Sequence, residues 1–406
     1  MAPDAEALLP RHENEPRGEG DGSKWLIAGL IAALLLVGSH DLLRDTGSSG
    51  TLETNSEKAR DLEKLKQPLV ILISYDGFRW GYTEKVPTPN IDSLVAEGTS
   101  AAKGLIPVYP SATFPNHYSI VTGLYPAWHG IIQNQFSDPV TGKIFKRGNN
   151  DPEWWLGEPL WWVDLPDGER PSLITLYIGS PDAEGHNAGP DSPEVSAAIT
   201  RVDSLLGRLV EGLKARRIYK DVTTILLGDH GMVQTCESKH IYVEDFAPWI
   251  NISVSWVDIV GTQLSIRPPA DVSIQEVYDK MVEALSSRKI RNGEHLQVYL
   301  REDLPERLHY STGRVQPIIG LVDESYNVAM TRNDVWCGGV HGYDNAYQSM
   351  RSIFIARGPK IAKNRRVPSF ENVQVYNFIS NILNLENPAP NNGTLGFLSS
   401  VLLPSS

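Results

Sequence analysis

Four continuous apolar runs mark the chain from residue 68 onward. They lie in "QPLVILISYDGFRW", "PSLITLYI" (171–178), "DVTTILLGDHG" (221–231) and "RSIFIARGP" (351–359). None alternates apolar with polar, so each predicts a strand buried on both faces rather than one facing water. Between them the spacing becomes helical. "DSPEVSAAITRVDSLLGRLVEGLKARR" opens with Asp191 or Ser192 as a cap and Pro193 in its first turn. "SIQEVYDKMVEALSS" (273–287) and "FENVQVYNFISNILN" (370–384) carry the same periodicity. Strands alternating with helices predict an α/β domain with a mainly parallel central sheet flanked by helices. Residues 252–330 depart from this rhythm, with "WVDIVGTQLSIRPP", a helix and "LQVYLRE". They predict a small α+β insertion. There is no internal repeat.

Upstream lies a different apolar run, Trp25–Val37, "WLIAGLIAALLLV", 13 residues long. As a helix it would measure about 20 Å, short of the roughly 30 Å hydrocarbon core unless Gly38, Ser39, Leu42 and Leu43 extend it. It follows a polar, acidic segment ending in Lys24 and precedes a Gly- and Ser-rich stretch. A signal-anchor is the favoured reading; a cleaved signal and a buried core helix are the alternatives. A basic start and a small-residue cleavage site are both lacking, which weighs against the cleaved signal. The resulting division is a tail at 1–24, an anchor at 25–39, a stalk at 40–66 and the globular part at 67–406, including the insertion.

Composition narrows the function. The 406 residues allow a large core. A net charge of −12 argues against a general nucleic-acid groove and predicts no specific nucleic-acid partner. An anionic substrate would then need a local reversal of field, for which bound metal ions are the usual means. Two cysteines, Cys236 and Cys337, make neither a disulfide scaffold nor a zinc-finger pattern. Sequons at Asn251 and Asn392 matter only for an exported chain.

The candidate chemistry gathers after the predicted strands. Asp76 follows the first, Asp182 and His186 the second, Asp229 and His230 the third, and His341 lies shortly before the fourth. Singly, each reads as a turn or a solvated loop residue. Together, six metal-type ligands at the carboxyl edge of one open sheet occupy the usual ligand-binding side of such folds. Three carboxylates brought close need cations to offset their repulsion. Aspartate with histidine and no cysteine suits catalytic zinc; manganese and iron fit as well. Six protein ligands suit two ions better than one.

These motifs resemble the nucleotide pyrophosphatase/phosphodiesterase (type I phosphodiesterase) family of the alkaline phosphatase superfamily. The matching stretches include "ISYDGFRWGY", "TPNIDSLVAEG", "YPSATFPNHYSIVTGLYPAWHGIIQN", "YIGSPDAEGHNAGP", "LLGDHGM" and "GVHGYDN", in the family's order. The resemblance implies an alkaline phosphatase-like fold and two zinc ions. One would be held by Asp76, Thr113, Asp229 and His230, the other by Asp182, His186 and His341. It implies Thr113 as nucleophile, Asn134 as a donor to a phosphate oxygen, and Phe114 with Tyr177 as an aromatic pair enclosing a nucleobase. The activity implied is hydrolysis of nucleoside triphosphates, dinucleotides and phosphodiesters to nucleoside 5′-monophosphates through a threonyl-nucleotide intermediate. A catalytically impaired membrane glycoprotein is one alternative, and a lysophospholipid or glycerophosphodiester phosphodiesterase on the same scaffold is another.

With an anchor at the start, the reading is a single-pass type II membrane protein. Its catalytic domain would lie outside the cell or in an endomembrane or vacuolar lumen, with glycans at Asn251 and Asn392. Cys236 and Cys337 flank the same expected site and would pair as a disulfide there; two free thiols are the alternative. One departure from the family stands out. Trp161 and Trp162 run almost directly into Asp164, where the family has a further strand and helix. This is an apparent internal deletion that removes no ligand and not the nucleophile.

Overall fold

The structure, a computed structural model, describes residues 68–149, 151–160, 172–334 and 336–403. The expected tail, anchor and stalk, and the junction after Trp162, lie outside the described residues. No helix among the described residues is long and apolar enough to cross a membrane.

The strands and helices that position the site are, in chain order, β1 (Leu69–Tyr75), α1 (Pro89–Glu97), β2 (Thr99–Ala101), α2 (Thr113–Thr122), β3 (Leu173–Ile178), α3 (Asp182–Ala188), α4 (Pro193–Ala215), β4 (Val222–Leu227) and β5 (Val233–Thr235). After these come β6 (Val257–Ile259), β7 (Gln263–Ile266), α5 (Ile274–Ser286), β8 (Leu296–Leu300), β9 (Ile318–Val322), β10 (Gly338–Val340), β11 (Phe354–Arg357), β12 (Arg365–Val367) and α6 (Gln374–Leu383). The central sheet has six strands in the order β12-β2-β11-β4-β1-β3. β1 pairs in parallel with β3 and β4, and β12 with β2. β11 alone runs antiparallel to its neighbours, which its apolar run could not indicate. The sheet is therefore mainly parallel, as the alternating pattern predicts.

Burial explains the runs. β1 and β4 are covered on both faces, with Val70, Ile73, Ile225 and Leu226 at most 2% exposed. Each such side chain contributes on the order of 1.5–3 kcal/mol of transfer free energy. β3 differs. It has a single neighbour, and nothing among the described residues pairs with its outer edge, so Ile174 and Leu176 are each 38% exposed. Its uniform apolar sequence predicts a covered strand; its place at the sheet edge leaves it half open.

α4 begins as its sequence indicates: Ser192 caps it by accepting from Val195 N–H, with Pro193 in the first turn. Its apolar stripe, including Val195, Ile199, Val202 and Leu206, packs on one face of the sheet. α6 covers the other face through Val375, Phe378, Ile379 and Ile382. The region expected as an insertion forms a four-stranded antiparallel sheet, order β8-β9-β7-β6, backed by α5. Those elements share a core with Val233, Val340 and Met350, beside the main sheet.

Candidate active site

The parallel direction of β1, β3 and β4 brings three post-strand turns to one edge. Asp76 ends the β1 turn, Asp182 opens α3, and Asp229 with His230 follow β4. His341 arrives from β10, which pairs with β5 directly after the β4 turn. Thr113 is the first residue of α2. Residues from five chain segments thus meet although sequence separations exceed 200 residues.

Two groups form. Ligand atoms of Asp76, Asp229 and His230 lie within 4.8 Å of one another, as do those of Asp182, His230 and His341. His230 Nε2 is 3.3 Å from Asp76 Oδ1, 3.2 Å from Asp229 Oδ2 and 3.2 Å from Thr113 Oγ1. His186 Nε2 is 3.4 Å from Asp182 Oδ2 and 3.1 Å from His341 Nε2, and His341 Nε2 is 3.6 Å from Asp182 Oδ1. The rings of His230 and His341 stack at 3.5 Å. The structure thus brings all six expected carboxylates and imidazoles together with Thr113.

The protonation of the imidazoles follows from their other nitrogens. Nδ1 of His186, His230 and His341 lies 2.8–2.9 Å from the carbonyl oxygens of Gly339, Gly231 and Ser111. A carbonyl only accepts, so each Nδ1 must carry the hydrogen and each Nε2 must present a lone pair. The carboxylate oxygens facing them, Asp76 Oδ1, Asp182 Oδ1 and Asp229 Oδ2, are buried without a hydrogen-bond partner. With the carboxylates ionised, lone pairs would confront lone pairs at 3.1–3.6 Å, so these atoms call for bound protons or a cation between them. Bound cations would satisfy these atoms, and carboxylate oxygen with imidazole nitrogen is a donor set that can hold a metal ion.

The titration shifts report the same crowding. Burial, then Asp229, raises Asp76 to about 6. Burial raises Asp229 to about 7 despite the Gly77 N–H it accepts at 3.0 Å. Asp182 is pushed well up by burial, then by Asp76 and Asp229. Burial lowers His230 to about 4 and His341 well below the ordinary imidazole range. Without a cation, the pocket favours neutral carboxyls and neutral imidazoles.

Asn134 Oδ1 accepts from Phe114 N–H at 2.9 Å. That bond occupies the amide oxygen and ties Asn134 to the residue after Thr113. Phe114 packs edge-on against Phe145 at 5.9 Å and stays half-buried. Tyr177 is the other member of the expected aromatic pair. Its hydroxyl donates to Asp76 Oδ2, and its ring meets His117 edge-on at 5.3 Å. It thereby braces the Asp76 carboxylate.

Two contributors escape sequence reasoning. His117 sits one helical turn after Thr113; its Nδ1 donates to Thr113 O at 2.9 Å and lies 3.3 Å from Asp229 Oδ2, while Ser74 Oγ donates to its Nε2. The i,i+4 spacing from Thr113 was the available signal. Gly77, at φ +63°, has Asp182 Cα 2.9 Å from where a Cβ would stand, so the turn after β1 tolerates no side chain there. Cys236 and Cys337 are free thiols in hydrogen-bond reach of each other, just beyond the β5–β10 ladder; they are not joined as a disulfide in this structure. Asn251 is exposed, whereas Asn392 is half-buried and its Oδ1 accepts from Tyr125 N–H.

Comparison with known proteins fits this geometry. The family model for type I phosphodiesterase / nucleotide pyrophosphatase matches residues 70–163 and 162–344. The chain is 37% identical over 393 residues to ectonucleotide pyrophosphatase/phosphodiesterase family member 3 of Bos taurus, covering 82% of this chain and 44% of that protein. It is 37% identical over 390 residues to an uncharacterized pyrophosphatase/phosphodiesterase of Schizosaccharomyces pombe, covering 81% and 79%. Family member 1 of Homo sapiens is 35% identical over 394 residues, covering 82% and 42%. The chain thus spans less than half the length of these two mammalian relatives. The two pieces of the family match meet at residues 162–163, where the sequence shows its abrupt junction. In the bovine comparison, 82% of 406 residues is about 333, roughly 60 short of the 393 aligned positions. A unit of about that size has no counterpart here.

Proposed function

The chain belongs to the type I phosphodiesterase / nucleotide pyrophosphatase family, and from that premise we propose that it is a zinc-dependent nucleotide pyrophosphatase/phosphodiesterase. Its substrates would be nucleoside triphosphates, dinucleotides and phosphodiesters, and its product a nucleoside 5′-monophosphate. One observation carries the reading. Thr113 Oγ1 stands in the first turn of a 10-residue helix, 3.2 Å from His230 Nε2 and beside orphaned carboxylate oxygens.

Asp76, Thr113, Asp229 and His230 would hold one zinc; Asp182, His186 and His341 would hold the second. When bound, the ions would lower the proton affinity of the Thr113 hydroxyl and offset the charge on the phosphate oxygens. Thr113 Oγ1 then forms a bond to the α-phosphorus, and the bond from phosphorus to pyrophosphate, or to an alcohol in a diester, breaks. The hydroxyl proton leaves with solvent. Water attacks the resulting threonyl ester on the opposite side, restoring the Thr113 hydroxyl and freeing the monophosphate.

The chain's other residues prepare that site. The amino end of α2 directs the positive end of its dipole toward a phosphate, although the Phe114 N–H there is already taken by Asn134. Asn134, oriented by Phe114 N–H, donates its amide hydrogen to a phosphate oxygen as charge develops. Phe114 offers one aromatic face to the base. Tyr177 works through Asp76, holding the carboxylate oxygen that faces away from His230.

We place the domain outside the cell or in an endomembrane or vacuolar lumen, behind a single-pass anchor at 25–39. Asn251 is then the better glycan acceptor, because Asn392 is engaged. A catalytically impaired membrane glycoprotein is the second reading. The open outer edge of β3, with Ile174 and Leu176 exposed beside the site, is the observation behind it.

The test is turnover of thymidine 5′-monophosphate p-nitrophenyl ester by the full chain, with zinc and with chelator, beside Thr113→Ala. Zinc-dependent release of nitrophenol that Thr113→Ala abolishes is expected. No turnover from a folded, zinc-loaded chain would overturn the enzymatic reading and favour the impaired glycoprotein.

A further inference from the structure

A cavity of about 420 Å³ opens beside the smaller sheet, where α5 ends, and none of its lining residues belongs to the candidate active site. Arg288, Lys289, Arg291 and Arg332 line it together with Asp245 and Trp249. Three chain segments build it. α5 stops at Ser286, and Arg288 takes the left-handed turn after it, at φ +57°. Asn292 then pins the departing chain, donating from its side-chain amide to the carbonyls of Ser238 and His240 at 3.0 and 2.9 Å. Arg291 is thereby held over the buried ring of Tyr242, its guanidinium carbon 5.6 Å from the ring centre. Arg332 reaches the same ring at 4.7 Å from the stretch after the strand Asn327–Ala329. That strand pairs in parallel with His240–Tyr242, which fixes the approach.

The charges do not balance across this lining. It carries four cations and one carboxylate, and Arg332 already bonds that carboxylate, Asp245, at 2.7 Å. Arg332 also bonds Glu244 beside the cavity. Arg288, Lys289 and Arg291 are exposed and have no carboxylate partner among the described residues. Glu294, the next carboxylate along the chain, faces His295. Cations at a helix end are ordinary, but Arg291 and Arg332 belong to no helix and gain nothing from a dipole.

A concave surface lined by one sign of charge focuses its field. The planar fork of arginine matches a pair of phosphate oxygens. Trp249, half-buried in the same wall, adds an aromatic face beside the cations. The volume lies in the range that holds a small ligand. We propose that this cavity is a second anion site, which binds a phosphate group either as free pyrophosphate or as part of a nucleoside monophosphate. It is separate from the catalytic cleft and does not depend on what the cleft hydrolyses.

The test follows Lys289 in the full, zinc-loaded chain. Lysines are acetylated briefly and quantified by mass spectrometry while inorganic pyrophosphate or adenosine monophosphate is titrated in. Lys289 should label several-fold more slowly as either compound saturates. Lys280, bonded to Glu283 outside the cavity, should stay unchanged. The protection should persist in chelator, which removes ions from the cleft, so this result stands apart from that of the nitrophenol assay. Arg288→Ala with Arg291→Ala should raise the half-protecting concentration by roughly tenfold or more, the weight of a charge-assisted hydrogen bond. A nucleoside monophosphate as occupant would protect at lower concentration than pyrophosphate and lose that advantage in Trp249→Ala; pyrophosphate as occupant would show the reverse order. Equal labelling of wild-type Lys289 with and without millimolar amounts of both compounds overturns the proposal without any variant. Protection that sodium chloride of equal ionic strength reproduces also overturns it, because that is screening alone.

Discussion

Replacing Gly77 with alanine should damage both halves of the site from a position that touches no substrate. Gly77 has φ +63°, and a Cβ there would lie 2.9 Å from Asp182 Cα and Cβ. Ordinary van der Waals contact begins at 3.4 Å, so Asp182 must retreat by about half an ångström. The left-handed backbone costs roughly 1–2 kcal/mol, the overpacking about 1–3, and the stiffened unfolded chain returns about 0.4–1. The net loss is on the order of 2–4 kcal/mol. Gly81 is the control: its φ is +92°, and nothing lies within 4 Å of its Cβ position. Gly81→Ala should cost only about 1 kcal/mol. Gly77 N–H also holds Asp229 Oδ1, so movement of the turn reaches the other carboxylate group. Urea unfolding in chelator would measure the stability gap, a zinc titration the ligand sets, and nitrophenol release the turnover. Gly77→Ala should bind zinc more weakly and lose about 10–100-fold in kcat/KM, in line with the cost of sub-ångström to ångström misplacement. If the two variants lose equal stability and both keep wild-type zinc affinity and turnover, the steric argument is wrong.

Asn134→Ala should lower kcat about 100–1000-fold with KM little changed, because the lost donor acts on developing charge; steady-state kinetics with the zinc-loaded enzyme decides this. In chelator, stability should fall as pH rises from about 6.5 to 8. The folded carboxyls of Asp76 and Asp229, raised to about 6 and about 7, keep protons that the unfolded chain has already released. Below about 6.5 the buried imidazoles of His230 and His341, with lowered pKa, pull the other way, since only the unfolded chain takes up their protons. Urea midpoints across this range should show the decline above 6.5, and saturating zinc should abolish it; a chelator profile that rises to pH 8 would contradict the assignment. Mild oxidation should join Cys236 to Cys337 within one chain, seen as a loss of two mass units and of both alkylation sites; a reduced monomer or a cross-linked dimer would argue against their adjacency.

The sequence by itself determined the strands and most of the chemistry. Continuous apolar runs ending in Asp-Gly or Asp-His turns read as strands buried on both faces, and as strands they deliver their polar ends to the edge of a sheet. Ser192 and Pro193 fixed the start of α4 through a local hydrogen bond and a dihedral limit that need no distant partner. The ligand types were equally legible, since Asp and His without Cys already imply hard, cationic partners. What the tertiary structure decided depends on residues far apart in the chain. The direction of β11 is set by pairing with β2 and β4. The exposure of Ile174 and Leu176 is set by the place of β3 at the sheet edge. The free Nε2 of each imidazole follows from carbonyls at Gly339, Gly231 and Ser111, two of them more than 150 residues from their partners. The family resemblance implies a base-binding role for Tyr177, but only the fold shows that its hydroxyl bonds Asp76, 101 residues away. Local physics sets which elements form; only the packed chain sets which polar atoms face one another.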